Sequence, residues 1–414
     1  MDIIIEGFKP KGCVKVPCSK SEAHRVLIMA FLLKKKLTIH NISYSEDINA
    51  TISVLEAMGA KFNKTNSSIE AIGYDECPNK IIVDVKQSAS TLRFLIPVAM
   101  CLAKDVTFKG DESLFKRPIN IYEDTFNGEL DFDIGLNYLR VQGQLKSNSY
   151  KVNTSVSSQF VTGLLFLMVI NKNVKHIELI GERVSKNYID ITKKVMECFG
   201  VCVTDKNGLI SVDVEAKDIG QYYLEGDYSQ AANFMVLGAI NGYISVKNIC
   251  INSLQGDKVV CDILTKMGAS VEFVDNDNIC NVSGRVDVSY LEIDLENCID
   301  LGPILFVCAA FNNGTTKFIN TKRLTIKESD RLNAMKENLI KAGICVEVSD
   351  NDVVIVGKPN ISGDFTFETF KDHRIVMAMS VFAVLNKGTS VIKDIECVNK
   401  SYPNFVNDLF SLKI

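Results

Sequence analysis

The stretch Cys18-Ser19-Lys20-Ser21-Glu22-Ala23-His24-Arg25 is a polar loop between two apolar segments. A strand-like segment, Val14 to Pro17, precedes it, and a helix-like run, Val26 to Leu33, follows it. The same order of strand, polar loop and apolar helix recurs along the chain in six copies. The loops lie about 70 residues apart, a spacing that indicates a repeated supersecondary unit. Their marker residues are Lys20, Ser88, Ser157, Ser229, Asp300 and Asp372.

Each repeat continues with a second strand, a second helix and a closing hairpin, so the predicted repeat is βαβαββ. Four of the second helices stop at a glycine, the usual residue for a left-handed helix end. The expected starts of the second helices are Ser45, Pro118, Ser185, Gln255, Ser329 and Tyr402, and the four stops are Gly59, Gly200, Gly268 and Gly343.

The sixth repeat ends after its second helix and lacks closing strands. We expect the apolar segment Met1 to Phe8 to supply the missing strand. The fold class is therefore α/β, with two domains of three βαβαββ repeats each, over residues 15–226 and over residues 1–14 with 227–414. Because the first helices are apolar on almost all faces, as at Leu164 to Ile170, we expect them inside each domain.

Composition limits the kind of protein this is. The 414 residues are 47% hydrophobic, enough for a large core. The net charge of -4 argues against a nucleic-acid surface. No apolar run reaches the roughly 18 residues of a membrane span, and Met1 to Glu6 has no basic region of a signal peptide. We therefore expect a cytoplasmic protein, a monomer, with neither a nucleic-acid nor a membrane partner.

The thirteen cysteines occur singly, without a CxxC pair. This pattern predicts reduced core residues of a cytosolic protein rather than disulfides. Cys198 and Cys202 lie close together, but the chain has four histidines and none near them, so a zinc site is not expected.

The polar loops favour anion binding. Each precedes a helix, so each exposes backbone N–H groups and a partial charge of about +0.5. Basic side chains add to this charge although the protein is acidic overall. They are Lys20, Arg25, Arg117, Lys327, Arg331, Arg374 and Lys400. The alternative is that the Ser, Asp and Asn residues of these loops are ordinary helix N-caps.

Several ordered motifs give the chain a full-length resemblance to a known family. They are Lys20 to Arg25, Asp111 to Pro118, Ser155 to Phe160, Ser185 to Asp190, Lys327 to Leu332, Asp372-His373-Arg374 and Lys400 to Pro403. On these residues the chain resembles the enolpyruvyl transferase family, in particular the branch that acts on shikimate 3-phosphate. The resemblance implies two inside-out α/β domains with the active site in the interdomain cleft.

The resemblance also implies a reaction. The 5-hydroxyl of shikimate 3-phosphate would add to C2 of phosphoenolpyruvate, and phosphate would leave, as in chorismate and aromatic amino-acid biosynthesis. No metal or organic cofactor is implied, because the cations supply the electrostatic stabilisation. Asp300 would accept the hydroxyl proton and Glu328 would give and retake the C3 proton, with Lys20 as the other candidate for that proton.

The implied binding residues divide by substrate. Lys20, Arg117, Gln159, Arg331, Arg374 and Lys400 would face phosphoenolpyruvate. Ser21, Arg25, Ser157, Ser158, Ser185, Asp300 and Lys327 would face shikimate 3-phosphate. A departure from the family is Ala89, where glycine is typical. In the resembling enzymes, glyphosate occupies the phosphoenolpyruvate site and is longer than phosphoenolpyruvate. The methyl group of Ala89 should clash with glyphosate and not with phosphoenolpyruvate, so the resemblance implies glyphosate tolerance. Alternatively, Ala89 only begins a helix.

Two other functions are considered. The sister transferase that acts on UDP-N-acetylglucosamine carries a reactive cysteine in a loop of its first domain, whereas Gly110 to Ile121 here contains none. A non-catalytic anion-binding relative would have no reason to keep Asp300 and Glu328 together with all the cations.

We predict that the two domains close over bound substrates, because cations from both halves must converge on one small anion and would repel one another in its absence. Small-angle scattering should then give a smaller radius of gyration with both substrates present. An unchanged radius would count against closure.

Overall fold

The structure, a computed structural model, describes residues 1–182, 184–274 and 278–413. The strands are β1 Ile3–Glu6, β2 Lys11–Lys15, β3 Leu37–His40, β4 Ala60–Lys64, β5 Ser68–Tyr74, β6 Lys80–Asp84, β7 Asp105–Lys109, β8 Leu130–Ile134, β9 Tyr138–Gly143, β10 Ser149–Asn153, β11 His176–Ile180, β12 Val201–Lys206, β13 Leu209–Val214, β14 Gln221–Tyr223, β15 Tyr243–Lys247, β16 Ala269–Val274, β17 Ile279–Gly284, β18 Tyr290–Asp294, β19 Thr315–Ile319, β20 Cys345–Val348, β21 Val353–Val356, β22 Phe365–Phe367 and β23 Thr389–Ile392. The α-helices are α1 Lys20–Leu32, α2 Glu46–Ala57, α3 Ala89–Leu102, α4 Glu112–Phe115, α5 Asn120–Thr125, α6 Ser158–Ile170, α7 Lys186–Cys198, α8 Tyr228–Asn241, α9 Val260–Lys266, α10 Gly302–Ala310, α11 Arg331–Lys341, α12 His373–Leu385 and α13 Phe405–Phe410. Short 3₁₀ turns cover Gly256–Val259, Ile299–Leu301, Lys322–Ile326 and Ile395–Lys400.

The chain divides into two compact units. The first unit is Cys18–Leu224, and the second unit is Met1–Pro17 together with Glu225–Ile414. The first unit thus begins at Cys18 rather than at residue 15 and ends at Leu224 rather than at residue 226. Each unit has its own hydrophobic core.

The first unit contains three four-stranded sheets. Their strand orders are β14-β3-β5-β4, β6-β7-β9-β8 and β10-β11-β13-β12. The helices α1, α3 and α6 fill the core of this unit, and every residue from Phe160 to Val169 in α6 is buried. Phe94 of α3 meets Phe166 of α6 edge to face, with ring centroids 5.8 Å apart. The prediction that the apolar first helices lie inside is confirmed, because an all-round apolar helix has no face suited to water.

The second unit repeats this arrangement with α8, α10 and α12 in its core. Its sheets have the orders β2-β15-β17-β16, β18-β19-β21-β20 and β22-β23-β1. All of α12 is buried, and Phe382 of α12 packs against Phe311 at 5.1 Å between ring centroids. β1 pairs antiparallel with β23, from Ile3 opposite Ile392 to Glu6 opposite Thr389. The prediction that the N-terminal segment completes the sixth repeat is therefore confirmed.

Repeats one and four depart from the predicted βαβαββ order. In the other repeats the strand before the loop pairs in parallel with the strand after the first helix, as β6 does with β7. The strand before loop one, β2, instead pairs with β15, and β14 pairs with β3. The assignment of Val14 to Pro17 to repeat one is therefore wrong. The chain passes from one unit to the other after β2 and again after β14. Each of these two strands therefore lies in a sheet of the unit that the chain is leaving.

Local helix signals correspond closely to the structure. Ser19, Ser88 and Asp372 are N-caps whose side chains accept backbone N–H groups. The predicted glycine stops have positive φ angles, +105° at Gly59 for example, where an added Cβ would lie 2.6 Å from the Asp75 carbonyl oxygen. Only glycine fits such a position without strain.

Four of the second helices begin two or more residues later than predicted, among them α11, which begins at Arg331 rather than Ser329. α5 begins at Asn120 rather than Pro118, and a short helix, α4, precedes it. Proline has no N–H and disfavours a helical conformation in the residue before it, so Pro118 separates α4 from α5. The helices of repeats four and six follow 3₁₀ turns and begin at Val260 and Phe405.

The thirteen cysteines are all free, but they are not all core residues. Cys18, Cys261, Cys280, Cys298 and Cys308 are buried, whereas Cys13, Cys202 and Cys345 are exposed. None of the helices in the described part of the chain combines the length and the apolar composition that a bilayer crossing requires. The described residues also contain no group of three or more His, Cys, Asp or Glu side chains that could hold a metal ion.

Candidate functional site

Lys20 is the first residue of α1, placed there by the Ser19 N-cap. Its ammonium group donates to Oδ2 of Asp47 at 2.7 Å, and Asp47 lies in the first turn of α2. The ion pair joins the first and second openings of repeat one. Sequence reasoning missed Asp47, because an acidic residue in a first helical turn also fits ordinary interaction with the helix dipole.

Arg25 is a buried cation of the first unit, only 2% exposed. Its guanidinium donates to Thr192 Oγ1 at 2.7 Å and to the carbonyls of Ser21 and Tyr188 at 2.5 and 3.0 Å. Its Cζ lies 4.9 Å from the ring centroid of Phe94. Burial lowers the pKa of Arg25 to about 9. All these partners are uncharged, and no carboxylate of the described residues lies within ion-pair distance, so the site favours an incoming anion.

Gln159 is the second residue of α6, and both the oxygen and the nitrogen of its side-chain amide make hydrogen bonds. Arg93 Nη1 donates to Gln159 Oε1 at 2.8 Å, and Gln159 Nε2 donates to Ser90 Oγ at 2.9 Å. Arg93 Nη2 also donates to the Pro118 carbonyl at 3.0 Å, directly after the half-buried Arg117. Arg93 therefore positions Gln159 and the Arg117 segment together. Arg93 lies one turn into α3, the helix that follows the loop marked by Ser88. This position is a signal in the sequence, but sequence reasoning did not use it.

The predicted serines lie at the starts of two helices. Ser157 is the N-cap of α6 and accepts from the backbone N–H of Gln159 at 3.3 Å, and Ser158 is buried beside it. Ser185 precedes α7 with φ of 53°, a left-handed conformation that is strained for serine. Ala89 is the first residue of α3 and is half-buried.

In the second unit, Arg331 is the centre of an ion-pair network and is 1% exposed. Nη1 donates to Asp300 at 2.9 Å, Nη2 to Glu328 at 2.6 Å and Nε to Asp372 at 2.8 Å. Burial would lower the pKa of Arg331, but Asp372, Glu328 and Asp300 outweigh it and raise this pKa. Arg331 therefore keeps its charge and fixes three carboxylates around it.

Asp300 in turn faces three cations. Lys327 Nζ lies 3.1 Å from its Oδ1, and Arg374 Nη2 lies 3.6 Å from its Oδ2. Burial would raise the pKa of Asp300, but Lys327, Arg374 and Arg331 hold it well below its ordinary value. Asp300 is consequently ionised at neutral pH.

Asp372 organises the start of α12. It accepts from the backbone N–H of Arg374 at 2.9 Å and from Ser329 Oγ at 3.0 Å, in addition to Arg331. Lys400 is buried at the end of a 3₁₀ turn. Lys20, Lys327, Arg331 and Arg374 each have a carboxylate partner within their own unit. The expected repulsion between cations of the two halves stays a prediction.

Comparison with known proteins identifies close relatives. The sequence profile of a family described as EPSP synthase (3-phosphoshikimate 1-carboxyvinyltransferase) matches residues 6–409. The 3-phosphoshikimate 1-carboxyvinyltransferase of Clostridium kluyveri is 40% identical over 99% of this chain and 97% of its own length. That of Clostridium perfringens is 37% identical, with coverage of 99% and 98%.

Solved structures show the same fold at lower identity. EPSP synthase from Acinetobacter baumannii aligns with a TM-score of 0.80 at 22% identity, over 100% of this chain and 98% of that one. The enolpyruvyl transferase NikO from Streptomyces tendae gives a TM-score of 0.74 at 13% identity, with coverage of 99% and 97%.

Proposed function

This chain belongs to the EPSP synthase family, and on that premise we propose which of its side chains bind the substrates and which move protons. The enzyme transfers the enolpyruvyl group of phosphoenolpyruvate to the 5-hydroxyl of shikimate 3-phosphate and releases phosphate. The observation that carries the proposal is the network in which Arg331 holds both Asp300 and Glu328.

Binding begins with an exchange of counterions. Each substrate carries a carboxylate and a phosphate group of about -1.5 to -2 charges. Carboxylates pair with Lys20, Lys327, Arg331 and Arg374, so these four cations are held in place by the fold. A bound phosphate or carboxylate then competes for the same cations, and arginine can hold it with two parallel hydrogen bonds.

The exchange changes the basicity of Asp300. Lys327 and Arg374 keep its pKa low in the free enzyme, and a carboxylate with a very low pKa is a poor general base. When the substrates take over part of the charge of Lys327 and Arg374, the proton affinity of Asp300 rises. Asp300 becomes a better base only when the reactants are present.

The proton transfers follow. Asp300 accepts the proton of the 5-hydroxyl while the hydroxyl oxygen bonds to C2 of phosphoenolpyruvate, and Glu328, which must enter this step in its protonated form, protonates C3. The C2–O bond to phosphate then breaks, C3 returns its proton to Glu328, and the C2–C3 double bond forms again. The departing phosphate takes the proton from Asp300, which restores the base. The side chain of Glu328 is only 15% exposed, so water has limited access to the transferred proton.

The remaining side chains bind the reactants. We assign Lys20, Arg117, Gln159, Arg331, Arg374 and Lys400 to phosphoenolpyruvate, with Ala89 beside it. We assign Ser21, Arg25, Ser157, Ser158, Ser185 and Lys327 to shikimate 3-phosphate. Two features support these roles. Arg25 is buried and, among the described residues, meets no carboxylate within ion-pair distance, and the amide of Gln159 is fixed by hydrogen bonds.

The test is phosphate release from phosphoenolpyruvate with shikimate 3-phosphate as acceptor. UDP-N-acetylglucosamine serves as the competing acceptor. Release with shikimate 3-phosphate alone supports the proposal, whereas release only with the nucleotide sugar, or with neither acceptor, contradicts it.

Arg374→Ala should weaken phosphoenolpyruvate binding before it affects shikimate 3-phosphate. The loss of a buried charged hydrogen-bond donor costs on the order of 2 to 5 kcal/mol, or at least roughly thirtyfold in affinity. Binding of each substrate would be measured by calorimetry, with the exposed Arg285→Ala as the matched control. Equal losses for both substrates would contradict the assignment of Arg374.

We further propose that the protein acts as a cytoplasmic monomer without a nucleic-acid or membrane partner. The net charge of -4 supports the absence of a nucleic-acid partner.

A further inference from the structure

Buried hydroxyl groups link the core helices of the first unit in two separate chains of hydrogen bonds. The first chain joins α1, α2 and the start of α3 and consists of His24, Thr51, Thr91 and Ser88. The second chain joins α1, α7 and α6 and consists of Arg25, Thr192 and Thr162. Each of these side chains is at most 2% exposed. The roles above give no task to the four threonines.

The first chain is continuous from α1 to the start of α3. Thr51 Oγ1 lies 2.7 Å from His24 Nδ1 and 2.6 Å from Thr91 Oγ1. Thr91 Oγ1 in turn lies 2.7 Å from Ser88 Oγ. Ser88 is the N-cap of α3 and directly precedes Ala89. Thr51 therefore bridges α1 and α3, and the chain ends beside the residue assigned above to the edge of the phosphoenolpyruvate site.

The first chain also lies one helical turn below Lys20. Lys20 and His24 are four residues apart on α1, and Asp47 and Thr51 are four residues apart on α2. Residues four apart share one face of a helix. The ion pair between Lys20 and Asp47, at 2.7 Å, and the bond between His24 and Thr51 are thus two parallel contacts between the same two helices. The deeper contact fixes the position from which Lys20 extends.

The second chain leaves α1 in another direction. His24 and Arg25 are consecutive, and consecutive residues of an α-helix point about 100° apart. Arg25 Nε donates to Thr192 Oγ1 at 2.7 Å. The hydroxyl of Thr192 donates to the Tyr188 carbonyl at 2.9 Å, and its oxygen lies 3.0 Å from Thr162 Oγ1. Thr192 therefore bridges α1 and α6.

The second chain leads to residues assigned above to shikimate 3-phosphate. It holds the guanidinium of Arg25 directly, through Thr192. Thr162 lies four residues after Ser158 on α6, so the two share a face of that helix. The second chain thus lies one turn below Ser158, as the first chain lies one turn below Lys20.

Hydroxyl groups in an apolar core need a reason to be there. The helices α1, α3 and α6 pack in the hydrophobic core of the first unit, where valine would fill the space of threonine without a polar group. A hydrogen bond weakens steeply outside a narrow range of distance and angle, whereas apolar contacts are not directional. Buried hydroxyl chains therefore fix the helix starts more exactly than apolar packing does.

We propose that Thr51 and Thr192 are positioning residues, each of which governs the affinity for one substrate. Thr51 holds the starts of α1, α2 and α3 for phosphoenolpyruvate, and Thr192 holds Arg25 and α6 for shikimate 3-phosphate. The two chains share no side chain, so a break in one leaves the hydrogen bonds of the other in place. The inference rests on the proposed assignment of Lys20 to phosphoenolpyruvate and of Arg25 to shikimate 3-phosphate.

The experiment measures the KM of each substrate, with the other substrate saturating, for the parent, Thr51→Val and Thr192→Val. Valine keeps the shape of threonine and removes the bridging hydroxyl. Thr51→Val should raise the KM of phosphoenolpyruvate at least roughly fivefold and leave that of shikimate 3-phosphate within about twofold. Thr192→Val should do the reverse. If each variant changes both KM values to the same extent, or changes neither, the proposal is overturned.

Three further variants serve as controls. Thr51→Ser and Thr192→Ser keep the hydroxyl and should keep both KM values within about twofold of the parent. If a serine variant behaves like the valine variant at the same position, the hydroxyl is not the cause and the proposal fails. Thr316→Val is the matched control, because Thr316 on β19 is buried and its hydroxyl makes no hydrogen bond with any described residue. Both KM values should be unchanged in this variant.

Thermal unfolding adds a second readout. Both valine variants leave buried hydrogen-bonding groups without a partner, so both should melt at a lower temperature than the parent. A purely structural role predicts that the KM effects follow the loss of stability and are the same for both substrates. Opposite KM effects in two variants of similar stability cannot arise in that way.

The positioning roles and the substrate assignments can fail separately. If Lys20→Ala leaves the KM of phosphoenolpyruvate unchanged, or Arg25→Ala that of shikimate 3-phosphate, the assignment is wrong and the inference falls with it. If both alanine variants raise the expected KM but the valine variants change neither, only the positioning roles are wrong.

A valine variant that does not fold has a substitute. Thr91→Val breaks the first chain between α2 and α3, and Thr162→Val breaks the second chain between α7 and α6. Each should raise the KM of the same substrate as the variant that it replaces. An unchanged KM in the substitute overturns the proposal.

Discussion

Asp300→Ala is expected to lower turnover by at least about a hundredfold while each substrate binds within roughly tenfold of the parent. Loss of this carboxylate removes the proposed base. It also leaves Lys327 and Arg374 with more uncompensated positive charge, because both face Asp300 in the free enzyme. Anionic substrates should therefore bind at least as well, and the defect should appear in kcat.

Glu328→Gln tests the other proton transfer by the same measurement. The amide keeps the shape of the side chain and an oxygen that can accept from Arg331, so the network is disturbed little. Turnover should still fall by at least about a hundredfold, since an amide cannot supply the C3 proton. A normal rate would transfer this role to Lys20, the next candidate.

Both variants need controls of the same chemistry. Glu292→Gln lies on β18, and Glu337→Gln lies on α11, and both side chains are exposed. Steady-state kcat and KM, together with calorimetric binding of each substrate, separate loss of chemistry from loss of binding. Weakened binding with an unchanged kcat would contradict the assignment of Asp300 as base.

Ala89→Gly is expected to make the enzyme more sensitive to glyphosate by roughly 5- to 150-fold. The methyl group of Ala89 would crowd the longer ligand, and such overpacking costs about 1 to 3 kcal/mol, with a factor of ten for each 1.4 kcal/mol. Phosphoenolpyruvate is shorter, so its KM should change little. The inhibition constant of glyphosate against phosphoenolpyruvate is the measurement.

The position of Ala89 at the start of α3 offers the alternative that alanine serves only the helix. Glycine would then cost up to about 1 kcal/mol of stability, a loss that melting experiments detect under either account. Ala57→Gly, at the end of α2, controls for this loss of helix propensity. If Ala89→Gly is no more sensitive to glyphosate than the parent, the steric account is wrong.

Features that depend on near neighbours in the chain could be predicted from the amino-acid sequence. Helix starts such as Ser45 before α2 and glycine stops such as Gly59 follow from backbone hydrogen bonds over three or four residues. Buried first helices follow from apolar periodicity within one helix. The missing strand of repeat six followed from counting repeats, and β1 fills that position.

Tertiary structure alone decided the charge pairing and the exchanged strands. Arg25 and Thr192 are 167 positions apart, and Arg331 and Asp372 are 41 apart, so no local pattern signals their contact. The pKa of a carboxylate depends on how deeply it is buried and which charges face it, and both are set only when distant segments pack together.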